Sequence, residues 1–178
     1  EMSRGLGDVY KRQSEGSHNT AEFELNDFLV KGKNEIVVQN HKWTNGTYLE
    51  AQDMFRSNGI FRDVLLYKTG NNSIYDFEAK ISFKSLFSLD FLPSLKISDD
   101  CVLSVLLYDD GEIVSSKSVN VSPSNIEKIS FDNLDVHKWS AECPYLYDLI
   151  IILSKGEDVI EVVRKNIGFK LSLIHISE

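Results

Sequence analysis

Across residues 14–170 apolar and polar positions alternate in short runs broken by turn residues, the two-residue period of strands that bury one face. The early runs are residues 21–25, 35–39 and 60–67, separated by turn signals at Asn26-Asp27, at Lys31-Gly32-Lys33-Asn34 and at Thr44-Asn45-Gly46-Thr47. Phe28 and Leu29 are expected to plug an apolar core beneath the first of these turns. A boundary is expected at Thr69-Gly70-Asn71-Asn72. Beyond it the pattern predicts strands over residues 73–83, 101–108, 112–121, 127–131, 145–154 and 158–165. Asp109-Asp110-Gly111-Glu112 and Lys155-Gly156-Glu157 read as hairpin connections, each with a glycine for left-handed turn geometry. The apolar residues of 102–107 fall on both parities, so that strand is expected to be buried on both faces. Many short strands with regular punctuation and no long amphipathic helix predict an all-β chain ending in an antiparallel sandwich.

Composition narrows the function classes. The 178 residues carry 27 acidic against 19 basic side chains, a net charge of −8, which leaves no basic surplus for phosphates and excludes nucleic acid as the expected partner. No apolar run approaches the roughly 20 residues of a membrane span, so no membrane partner is expected. Cys101 and Cys143 have neither metal-site nor disulfide-framework spacing and are read as reduced structural thiols. The ends do not continue the interior pattern. Residues 1–13, containing GLGDVYKRQ, and residues 171–178, LSLIHISE, resemble translated sequencing-adaptor sequence and are set aside as adaptor-derived tails.

Signatures of catalysis are missing: there is no GxSxG, no GxxxxGK[ST], no HExxH and no CxxC. His18, His41, His137 and His175 have no partner at helical metal-ligand spacing and are read as structural or surface residues. One window, residues 43–64, WTNGTYLEAQDMFRSNGIFRDV, concentrates carboxylates, arginines and aromatics. Aromatic faces stack on the apolar side of a sugar ring while carboxylates and amides take its hydroxyls, so the mixture suits carbohydrate recognition. The competing reading of the same residues is an ion-pair network, Glu50 and Asp63 against Arg56 and Arg62, that pins a loop to a sheet edge.

That window closely resembles the β-galactosidases of glycoside hydrolase family 2, at the end of their sugar-binding jelly-roll domain. SEGSHNTAEFELNDFLVKGKNEIVV, residues 14–38, is similar to the preceding strands. KWSAECPYLYDLII, residues 138–151, and NIGFK, residues 166–170, are similar to the immunoglobulin-like domain that follows. The resemblance implies a partial, galactose-binding-like jelly roll over residues 14–70 and an immunoglobulin-like antiparallel β-sandwich over residues 71–170. The family's (β/α)8 barrel, whose two glutamates sit about 5 Å apart for retaining hydrolysis, is not implied within this chain, which is expected to be inactive alone.

By the same resemblance Asp53, the aspartate of QDM, contacts the 6-hydroxyl of a β-galactoside substrate and a sodium ion. A carboxylate can accept from a hydroxyl and ligate a hard cation with the same oxygens. Glu50, Arg56, Arg62 and Asp63 match the motif as residues that hold the loop. Phe55 stands where the family has tryptophan, so an indole donor is lost. Sodium and magnesium are the parent's expected ions, neither held completely by this chain. The parent's own barrel is the expected protein partner. A homo-oligomeric parent is left open, because the turn around Ser122-Pro123-Ser124-Asn125 is too short for the inter-subunit loop of tetrameric relatives. Trp139 and Tyr147 are expected in the sandwich core, and a cytoplasmic location is favoured with the true start of the gene product upstream. Two alternatives stand beside this reading: a stand-alone carbohydrate-binding or scaffold module, and a parent acting on β-glucuronides or β-mannosides.

Overall fold

Two segments divide the chain, residues 1–66 and 67–178, and the computed structural model describes residues 13–14, 19–49 and 59–171. In the first segment the polar turns form as their residues dictate. Gly32 takes φ 112°, and the Asn34 side chain closes the turn, accepting from the Val30 N–H at 2.9 Å and donating to the carbonyls of Val30 at 2.9 Å and Gly32 at 3.1 Å. Asn26–Phe28 forms one 3-10 turn, with the Phe28 N–H donating to the Leu25 carbonyl at 2.9 Å. Phe28 is half-buried but Leu29 is 53% exposed, so only the first of the two expected plugs is covered.

The alternating run 21–25 and the strands predicted over residues 35–39 and 60–67 have no ladder partner among the described residues. Alternation prepares a segment to be a strand, but the strand exists only when its backbone N–H and C=O groups find a neighbour.

In the second segment they do find neighbours. β1 (Ser73–Phe83), β2 (Phe87–Lys96) and β5 (Ile129–Leu134) form one antiparallel sheet in the order β1-β2-β5. β3 (Cys101–Asp109), β4 (Glu112–Val121), β7 (Tyr147–Lys155) and β8 (Asp158–Ile167) form the other, in the order β4-β3-β7-β8. The short strands β6 (Lys138–Trp139) and β9 (Phe169–Lys170) pair in parallel.

β2 is the strand the sequence pattern does not predict. Its inward residues Phe87, Leu89 and Phe91 are clear, but Pro93 argues against a strand. β5 pairs with β2 only as far as Phe91, so Pro93 sits beyond that ladder, where one side of β2 is an edge.

The core lies between the sheets. From β2 and β5 come Leu89, Phe91 and Phe131, and from β3 and β7 come Leu103, Val105, Leu107, Leu149, Ile151 and Leu153, all at most 2% exposed. Each such side chain contributes about 1.5–3 kcal/mol over its exposed state. β3 is not buried on both faces as expected: Val102, Ser104, Leu106 and Tyr108 on its other face are half-buried, because no second layer covers that face among the described residues. The β3–β4 hairpin turns through Asp110 and Gly111, at φ 45° and 91°, and the β7–β8 hairpin through Gly156 at φ 61°.

Tyr147 is a core residue as predicted. At the start of β7 its hydroxyl accepts from the His137 backbone N–H at 2.7 Å, the corner arrangement of immunoglobulin-like sandwiches. Trp139 is only half-buried: it covers Gly168, where an added Cβ would meet the Trp139 Cδ1 at 2.8 Å. The β6–β9 pairing therefore joins the two sequence signatures, KWS and NIGFK. Cys101 is buried and Cys143 exposed, and both are free thiols, so only the first has a place in the core.

Candidate functional site

The polar and aromatic window begins where Lys42 lays its ammonium 5.5 Å from the centre of the Trp43 ring, a cation–π contact on an indole 65% exposed. Thr47 then fixes the bend that the Thr-Asn-Gly-Thr signal predicts. Its hydroxyl accepts from the Thr44 N–H and donates to the Lys42 carbonyl, both at 3.1 Å, and its N–H donates to the Thr44 carbonyl at 3.1 Å. One helical turn, Asn45–Leu49, follows and leaves Tyr48 77% exposed.

The chain is described again from Gly59, which takes φ 86° and leads into Ile60 and Phe61, both about half exposed. Arg62 and Asp63 are exposed, and neither makes an ion pair with another described residue. Asp53, Glu50 and Arg56, with Phe55, lie outside the described residues. The described parts of the window thus carry three exposed aromatics, Trp43, Tyr48 and Phe61, together with Arg62 and Asp63.

Among the described residues no group of three or more His, Cys, Asp or Glu side chains is placed to hold a metal ion. A hard cation needs several oxygen ligands, and Asp53 can supply one carboxylate. No helix among the described residues is long and apolar enough to cross a membrane.

In the sandwich, three polar clusters stand out that the sequence pattern does not reveal, because each joins residues far apart in the chain. Asn72, Ser98, Asp99 and Lys155 meet at one end, with the Lys155 ammonium 2.9 Å from an Asp99 carboxylate oxygen. That ammonium and the Asn72 amide hold the Asp99 carboxyl below its ordinary range. At the other end the Tyr145 hydroxyl donates to Asp109 at 2.5 Å, which pushes the phenol up to about 12. On the outer face of the three-stranded sheet, Ser130 and Lys128 converge on Asp90 and hold its carboxyl low. An open depression of about 480 Å³, lined by Asp100, Cys101, Asn120, Ser122, Asn125 and Gly156 among others, contains none of the sugar- or ion-contacting candidates read from the sequence.

Comparison with known proteins places these features in a family. Residues 7–70 match the family profile "Glycosyl hydrolases family 2, sugar binding domain", and residues 97–170 match "Glycosyl hydrolases family 2". The first match begins inside the segment set aside as a tail. The chain is 34% identical over 166 residues to a beta-galactosidase of Streptococcus thermophilus and 34% identical over 174 residues to one of Priestia megaterium. Each alignment covers 88% of this chain and 16% of the relative, so the chain spans about a sixth of the length of these proteins. A glycosyl hydrolase family 2 member of known structure from Bacteroides cellulosilyticus superposes on 57% of this chain and 16% of its own, at 20% identity and a TM-score of 0.49, too loose a likeness to support any statement. With the two family profiles together covering more than half of its residues, the chain belongs to glycosyl hydrolase family 2.

Proposed function

We propose that this chain is the non-catalytic part of a β-galactoside hydrolase that carries the end of the sugar-binding domain and the sandwich after it. The observation that supports this reading is the 34% identity to beta-galactosidases over 88% of the chain, a span that includes the whole window of residues 43–64. In this reading Asp53 accepts a hydrogen bond from the 6-hydroxyl of the terminal galactose and offers an oxygen to a sodium ion. The ion, when bound, supplies a fixed positive charge that orients the sugar's hydroxyl. Glu50, Arg56, Arg62 and Asp63 hold the loop that carries Asp53. In this reading the retaining glutamate pair belongs to a barrel outside these 178 residues, and these residues by themselves are expected not to hydrolyse galactosides.

The test uses the full-length gene that contains this sequence. The protein is assayed on chromogenic β-galactoside, β-glucuronide and β-mannoside, as wild type and as Asp53→Asn. Preference for the galactoside, with a loss on the order of 100-fold in kcat/KM for the variant, is the expected result. A preference for either of the other glycosides, or a variant with full activity, overturns the substrate or the role of Asp53. A gene with no barrel returns the chain to a binding or scaffold module.

A further inference from the structure

The two outer faces of the sandwich carry opposite chemistry. On the three-stranded sheet the outward positions include Glu78 and Lys80 on β1, Asp90 on β2 and Asp132 on β5, as on a strand face that stays in water. On the four-stranded sheet the outward positions are mostly aliphatic. The register gathers Val102, Leu106, Ile150, Ile152, Val159 and Val162 into one patch, with Ile152 between Ser104 and Val162 and Ile150 between Leu106 and Arg164. Val159 is 62% and Val162 55% exposed, and the other four are half-buried. On β4 the same face continues with Ser116, Ser118 and Asn120, and the Ser104 and Ser118 hydroxyls share a hydrogen bond of 2.7 Å. The two charged side chains in these rows, Asp148 and Arg164, neutralise each other. The guanidinium donates to the carboxylate through Nε at 3.0 Å and Nη2 at 2.7 Å, and the Asn166 amide adds a third bond at 2.7 Å.

A contiguous apolar patch whose few charges are already paired has the make-up of an interface centre, where charged side chains are depleted. Two facts point to what covers it. The chain spans about a sixth of the length of its beta-galactosidase relatives, so in the reading proposed above most of the protein lies outside these residues. The family match runs to residue 170, on β9, directly after β8, so the parent's chain continues from the end of a strand that borders this face. A second copy is the poorer occupant, because each copy brings a net charge of −8.

We infer that the outer face of β3, β7 and β8 is the docking surface for the part of the parent protein that follows residue 170, which meets it with an apolar surface of its own. The inference rests on the reading of the chain as a piece of a longer hydrolase. It adds which of the two sheets faces the rest of the enzyme, and it leaves the other, with Glu78, Lys80 and Asp90, in water.

The test is the rate of thiol modification by N-ethylmaleimide, read peptide by peptide in a mass spectrometer, in the full-length protein and in the 178-residue chain. Val162→Cys probes the apolar face, Val159→Cys takes its place if that variant fails to fold, and Lys80→Cys, at an exposed position, probes the polar face. In the full-length protein Val162→Cys is expected to react at least about tenfold slower than Lys80→Cys, and in the 178-residue chain at a comparable rate. Equal rates at the two positions in a full-length protein that hydrolyses β-galactosides overturn the inference and leave the proposed function standing. A gene that encodes no further domain after residue 170 overturns both. Slow reaction at Val162→Cys already in the 178-residue chain overturns the inference as well, a dimer in sedimentation then giving the face to a second copy.

Discussion

The two segments spend similar apolar sequence in opposite ways. In the sandwich Leu103, Val105 and Leu107 disappear between two sheets, whereas in the first segment Ile36, Val37 and Val38, and again Val64, Leu65 and Leu66, are each more than half exposed. No described residue of the first segment is buried. The difference is one of partners rather than of composition. An apolar strand face stabilises a fold only when a second layer removes it from water, and a bare one invites association.

The sharpest way to break this contrast is proteolysis. We expect mild protease to clip the chain within its first 70 residues while residues 73–169 persist as one resistant core; a resistant first part with a digested sandwich would reverse the picture. A matched pair of truncations comes next. Leu103→Ala, at a fully buried position, is expected to cost about 3–5 kcal/mol in urea unfolding followed by circular dichroism, and Leu65→Ala, 63% exposed, less than about 0.5 kcal/mol. Equal effects would mean that Leu65 is covered in solution. Gly168→Ala forces a Cβ against Trp139 and is expected to lower stability by about 1–3 kcal/mol, whereas Gly32→Ala meets no atom within 4 Å and is opposed only by its positive φ.

The smallest effect is one of pH. Because the folded state raises the Tyr145 phenol to about 12 through its bond to Asp109, folding favours the protonated phenol. The associated stability is fully present below pH 10 and is lost as pH rises toward 12. Tyr145→Phe should flatten that part of the stability profile and leave the acid limb unchanged. On the acid side the signs reverse. Asp90 and Asp99, held low by Ser130 with Lys128 and by Lys155 with Asn72, contribute above their ordinary range and stop contributing as pH falls below about 3.8.

How far the sequence could be read follows the same division. The hairpins at Asp110-Gly111 and Gly156 were legible because turn chemistry is local, and so was the existence of β3 and β7, but not the one-sided burial of β3, whose apolar residues fall on both parities. β2 was hidden by Pro93, since whether a proline is tolerated depends on where a neighbouring strand stops, and that is not written in β2 itself. The alternating run 21–25 and the strands predicted over residues 35–39 and 60–67 show the converse: their pattern is sound and they have no ladder partner among the described residues. Of the candidate site, the aromatic and charged composition of the window could be read directly. The positions of Asp53, Glu50 and Arg56 fall outside the described residues, so Asp53 stands on the family resemblance. Asn72 could be read only as part of the boundary turn at residues 69–72; its bonds to Ser98 and Asp99 could not, because these become neighbours only when the β2–β3 turn folds back.

The chain has two tryptophans, one in each segment, and their surroundings differ as the segments do. Trp43 is largely in water, while Trp139 lies against Gly168 with the Lys170 ammonium 5.2 Å from its ring. Excited-state indoles emit at longer wavelength in water than in a packed corner, so the red edge of the protein's fluorescence reports the first segment and the blue edge the sandwich. Added iodide or acrylamide should extinguish the red component first, and unfolding the sandwich should shift the blue component into it, giving each region its own optical signal without a single substitution.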